Sequence, residues 1–191
     1  MNTTNTTPRS RLAIRSLAVA VAAGVLPVAA ATSSAQAAPY CGIRWGSLAK
    51  SAPTMVQGPV TNVRAGRHTC YDRLVVDLRG RATGYTVKYV SNVYTEGRGA
   101  LVPLRGGANL LVVAKAPAYT SSGSPSFTPR SRTDVVDVTG YQTFRQVAWA
   151  GTFEGQTSLG LGVRARLPFR VFTLDGPGTG SRLVIDVAHR W

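Results

Sequence analysis

The stretch Gly66 to Gly80, GRHTCYDRLVVDLRG, decides how the chain is read. Leu74, Val76 and Leu78 alternate with Arg73, Val75, Asp77 and Arg79, the period of two of a strand that buries one face. Its centre, RLVVD from Arg73 to Asp77, returns near the other end as RLVID from Arg182 to Asp186. A β domain that begins and ends on twin strands is the expectation. Within one strand, Arg and Asp four apart share a face but are too distant to pair. As antiparallel neighbours the twins would set Arg73 opposite Asp186 and Asp77 opposite Arg182, two ion pairs each contributing roughly 0.2–1 kcal/mol. A parallel in-register arrangement would oppose like charges, and placement in opposite sheets would separate the pairs.

Outward from these strands the pattern stays β. Strands are expected at about 60–65, 70–79, 85–91, 108–114, 133–139, 144–150, 153–161, 168–174 and 181–188, with Gly or Pro near most junctions. Only Gln142 to Ala150 offers a competing helical spacing, through Phe144, Val147 and Ala148. The expected fold is all-β, a mainly antiparallel two-sheet sandwich with at most one short helix. Lys50 to Gly58 reads as a linker, and Trp45 is expected to pack near the first cysteine. Ala116 to Ser131, APAYTSSGSPSFTPRS, breaks the rhythm with three prolines and five serines. Unstructured connections of that length are usually functional or disordered, so Tyr119 and Phe127 are either contact residues or aromatics folded back on the domain.

At the N-terminus, Arg9, Arg11 and Arg15 precede the apolar run Leu17 to Ala31, and Ala35-Gln36-Ala37 supplies small residues at cleavage spacing. This is the plan of a secretory signal peptide over 1–37. A retained anchor is the alternative, although the run is shorter than the about 20 residues of a membrane span. The expected division is a cleaved peptide at 1–37, a tethered segment at 38–58 and the β domain at 59–191. No membrane span is expected after cleavage. Two cysteines in an exported chain suggest one disulfide, Cys41–Cys70, with two free buried thiols as the alternative. The formal charge is +14, and removing the three leader arginines, with no leader acids, leaves +11. Such a balance favours polyanions, although an arginine excess also follows from G+C-rich codons. The charges are scattered, so no dedicated nucleic-acid footprint is visible.

Catalysis is not indicated. His68 and His189 are the two histidines and show no metal spacing. Paired cysteines also remove a Cys70 nucleophile beside His68. The glycines from Gly155 to Gly162 lack the Gly-Lys-Ser/Thr of a phosphate loop and suggest bends or bulges. Glu96 and Glu154 follow no dyad rule. No cofactor and no metal site are expected. Binding uses what is abundant: Arg164, Arg166 and Arg170 around Leu167-Pro168-Phe169, and Tyr85 and Tyr89 on one strand face. Aromatics beside arginines suit sugar rings and carboxylates; the alternative is that the tyrosines are core.

Four motifs in order, GRHTCYDRLVVDLRG, GYTVKYV (84–90), FEGQTSLGLGVRARLPFRVF (153–172) and SRLVIDVAH (181–189), resemble the AMIN-like domain of exported actinobacterial proteins. The resemblance runs from about Cys41 to Trp191. It implies a two-sheet sandwich serving as a non-catalytic localisation module at the cell envelope. The implied partner is peptidoglycan or an anionic wall polymer, and the implied location is extracellular and wall-associated. The differing expectation from charge alone is a basic domain that binds polyanions or a protein partner without wall specificity. A cryptic hydrolase is the remaining reading.

Overall fold

RLVVD and RLVID lie side by side. In the computed structural model, β3 (Tyr71–Leu78) and β11 (Ser181–Ala188) are antiparallel neighbours, with Arg73 opposite Asp186 and Asp77 opposite Arg182. They form the centre of a four-stranded sheet, flanked by β2 (Val60–Arg67) on one side and β10 (Phe169–Asp175) on the other. The second sheet has the order β1 (Lys50–Ala52), β4 (Tyr85–Val90), β7 (Ala108–Ala114), β9 (Gln156–Val163), β8 (Phe144–Phe153). A two-stranded hairpin, β5 (Val93–Tyr94) and β6 (Leu101–Val102), stands apart. Every strand pairing among the described residues is antiparallel. The structure describes Met1 and residues 38–191 apart from Gln57, and Ala37–Trp191 is one compact unit. The leader expected at 1–37 lies outside the described residues of that unit.

The two sheets face each other across one core, the two-sheet sandwich that the alternation implies. Leu74, Val76, Leu183, Ile185 and Phe169 point in from one sheet; Val87, Leu110, Val112, Leu159 and Leu161 point in from the other. All are buried. The period of two therefore sets which side chains meet. The Cys41–Cys70 disulfide is formed, closing a separation of 29 residues. It ties a single 3-10 turn, Tyr40–Gly42, to the start of β3. From there Trp45 reaches back to meet the Tyr71 ring edge-on at 5.6 Å.

Several element boundaries differ from the reading of the chain. Residues 133–139 are not a strand: two backbone bonds, Val135 N to Val147 O and Trp149 N to Arg132 O, run beside the free edge of β8. Asp137 then accepts the Thr139 N–H and turns the chain away, so the segment covers an edge that would otherwise be open. The strand expected over 153–161 is interrupted at Glu154–Gly155, where both residues have positive φ (47° and 76°). Such consecutive values make the two-residue turn of a β-hairpin. Gln142 to Ala150 is strand from Phe144 onward, because its apolar side chains pair across β9. Part of the expected linker, Lys50–Ala52, adds to β4 as an edge strand.

The glycines of β9 serve a close approach, and the register shifts fall on β8 instead. A Cβ at Gly162 would stand 2.1 Å from Arg105 O, and one at Gly160 would stand 3.0 Å from Leu104 Cδ1. The chain leaving the β5–β6 hairpin therefore lies directly on the outer face of the five-stranded sheet.

Candidate functional site

Three strand ends converge at one end of the sandwich. Arg145 follows the first residue of β8, Arg164 follows the last residue of β9, and His189 and Arg190 follow β11. The two sheets are stitched together here: Thr143 Oγ1 donates to Ala188 O at 3.1 Å, and the Arg164 guanidinium donates to His189 O. The Arg145 guanidinium is held by three carbonyls, donating to Phe144 O at 2.9 Å, Tyr141 O at 3.1 Å and Gln142 O at 3.3 Å. Arg190 lies over the Tyr40 ring at 5.7 Å. Arg145, Arg164, His189 and Arg190, with Tyr141 and Gln142, line a cleft of about 470 Å³.

Tyr141 and Arg145 also wall an adjoining cavity of about 550 Å³, which holds Arg105, Asp134 and Asp137. Arg105 is paired with Asp134, and its hydrogen bond is the main cause that holds the Asp134 carboxyl below the usual range. The Thr139 backbone N–H does the same for Asp137. Burial pushes the Tyr141 phenol up. The decisive electrostatic feature is what Arg145, Arg164 and Arg190 lack. Among the described residues none of them has a carboxylate partner, whereas Arg64, Arg73, Arg105 and Arg170 each do. Carbonyl oxygens orient a guanidinium without cancelling its charge, leaving donors free for an anion.

Arg164, Arg166 and Arg170, neighbours in sequence, separate in space. The segment from Arg164 to Pro168 crosses from β9 in one sheet to β10 in the other, so its side chains diverge. Arg166 donates to Ser47 Oγ at 3.2 Å and lies over the Tyr89 ring at 5.2 Å, beside a cavity of about 350 Å³. Arg170 is on the outer face of β10, 4.5 Å from the Trp45 ring and 5.0 Å from Phe172. There it meets Asp186, which is fully buried and accepts from Arg170 Nε at 2.8 Å and from Arg73 Nε and Nη2 at 2.6 and 2.9 Å. The opposed Asp77 and Arg182 do not bond to each other. Arg64 on β2 reaches Asp77 from the other flank at 2.9 and 3.0 Å, and Arg182 donates to Asp175 O. A central strand has two neighbours, and the diagonal partner took the acid.

Tyr85 and Tyr89 face inward. The Tyr89 hydroxyl donates to Leu167 O and accepts from Leu167 N, at 2.9 and 3.0 Å, and the Tyr85 hydroxyl reaches Val171 O. Tyr119 and Phe127 fold back on the domain. They line a cavity of about 280 Å³ with Trp149, Pro125, Pro129 and Arg132.

A family model described as AMIN-like domain matches residues 58–189. The chain belongs to the AMIN-like domain family. Neither the curated proteins nor the solved structures contain a match to it. AMIN-like domains are in general non-catalytic binding modules of the cell envelope, and the matched range covers ten of the eleven strands, β2 to β11.

In this AMIN-like domain one acid–histidine pair lies beneath the cleft. Asp72 and His189, in contact at 3.2 Å, are 1 % and 3 % exposed by side chain. Asp72 also accepts the backbone N–H groups of Thr143 and Phe144 at 2.6 and 3.0 Å. The carboxylate thus joins the ends of β3, β8 and β11, and the nearby Thr143 hydroxyl is bonded to Ala188 O. This geometry clamps the floor of the cleft. The sequence offered one missed signal: Asp72 has the inward parity of Leu74, and His189 that of Val187, so both were destined for the space between the sheets.

Proposed function

We propose that the AMIN-like domain is an exported, non-catalytic module that holds an anionic polymer of the cell wall, peptidoglycan or a polymer attached to it, in the arginine-lined cleft. One observation carries the reading: Arg145 and Arg164, held by carbonyls, and Arg190, lying over the Tyr40 ring, line one cleft and have no carboxylate partner among the described residues. A polymer with repeated phosphate or carboxylate groups supplies the missing charge. The arginine-rich leader pattern and the Cys41–Cys70 disulfide support an oxidising, extracytoplasmic location. Among the described residues no helix is long and apolar enough to cross a membrane.

Co-sedimentation with isolated sacculi tests the proposal. The expected result is pelleting with intact sacculi that weakens steeply between about 50 and 200 mM salt and falls after the anionic polymers are stripped. Binding that survives stripping would move the ligand to the glycan–peptide mesh itself. No pelleting at any salt would refute the proposal, and release of soluble fragments would refute its non-catalytic part.

A further inference from the structure

We propose that the groove beneath the loop from Tyr119 to Arg132 is a saccharide subsite that takes one acidic pyranose ring. This site shares no residue with the arginine-lined cleft. Its floor is apolar: the Phe127 and Trp149 rings meet at 5.7 Å with a tilt of 57°, and Pro125, Pro129 and Tyr119 complete the wall. Tyr119 is fixed by the Gly155 N–H, which donates to its hydroxyl at 3.0 Å. Arg132 and Trp149 also wall a second cavity of about 230 Å³, which carries Glu96 and Arg98. An aromatic floor joined to a small set of convergent polar groups is the usual make-up of a ligand site.

The polar groups identify the ring. A pyranose has apolar C–H faces and a rim of hydroxyls, matching an aromatic floor beside a carboxylate and guanidinium groups. Glu96 uses one oxygen on Ser158 Oγ, and its other oxygen has no partner among the described residues. The Arg98 and Arg132 side chains make no hydrogen bond or ion pair there. Two unmatched guanidinium groups against one carboxylate favour a sugar bearing its own carboxylate, held by the planar fork of Arg132. A peptide adding as a strand fits less well, because the edge of β8 is already met by Arg132 O and Val135 N.

The test is titration of the disulfide-intact protein with trigalacturonate, chitotriose and a proline-rich peptide, followed by NMR and calorimetry. Trigalacturonate is expected to shift the Trp149 indole N–H. Arg132→Gln should weaken binding about tenfold, the loss of one charge-assisted contact. Phe127→Ala should abolish the shift, with its melting curve checked for folding. The indole shift of Trp149, which lines this groove and not the arginine-lined cleft, separates the two sites. Overturning results are no shift with either sugar at 10 mM or the same affinity in Arg132→Gln. Chitotriose binding as tightly as trigalacturonate, or the peptide binding in place of both, would also overturn the assignment.

Discussion

Asp186→Asn removes one charge and keeps the shape, so its cost isolates what the twin-strand motif contributes. The carboxylate is fully buried and accepts three charge-assisted hydrogen bonds. Breaking a buried ion pair from one side typically costs about 3–5 kcal/mol. Here the arginine side chains are 23 % and 40 % exposed, so water compensates part of their loss, and about 2–3 kcal/mol is the expected cost. The asparagine amide would also aim donors at donors. For a domain of this size the melting temperature should fall by about 5–10 °C. Asp77→Asn is the internal control. Its partner Arg64 is 50 % exposed, and a pair of that kind contributes less than about 1 kcal/mol. Denaturant unfolding of both variants should show a lowered midpoint with unchanged slope, and the Asp186→Asn deficit should persist at 1 M salt. An Asp186→Asn variant within 0.5 kcal/mol of wild type, or equal costs for the two acids, would refute the reasoning.

Three further outcomes follow from the fold. Replacing Cys41 and Cys70 by serine, or adding reductant, should cost about 3–4 kcal/mol for a loop of this length, read as a lower melting temperature with faster hydrogen exchange around Trp45. Burial raises the Tyr89 phenol, so its contribution is fully present below the unfolded value near 10 and is lost as pH climbs through the folded value. Denaturant midpoints from pH 9 to 11 should fall less steeply in Tyr89→Phe, which at pH 9 already costs about 1–2 kcal/mol for the unpaired Leu167 backbone. Gly162→Ala should displace the chain at Arg105, where the new Cβ would stand 2.1 Å from a carbonyl oxygen. Loss of protection at Gly107 N, which donates to Val163 O, is the readout.

The frame of the sandwich was readable because it rests on a period of two. Leu74, Val76 and Leu78 declare their inward face, and the repeated RLV-hydrophobic-D declares its neighbour. The side chains proposed to bind obey no such period. Arg164, Arg166 and Arg170 sit within seven residues, yet the crossing between sheets sends them to three surfaces. Arg145 and Arg190 are distant in sequence and line one cleft only because β8 starts where β11 ends. The Val-rich run 133–139 has strand propensity, but propensity alone does not decide pairing. Asp134 is drawn to Arg105, and Asp137 to its own turn.

The central claim is that free guanidinium charge at the sandwich end is what holds the wall polymer. Arg164→Gln with Arg190→Gln tests it most directly, since both act on the cleft and leave Asp72, His189 and Arg145 in place. Affinity for purified anionic wall polymer should drop at low salt, and its dependence on salt should flatten, as fewer counterions are released per binding event. An unchanged affinity and salt slope in a variant that melts like wild type would contradict the account.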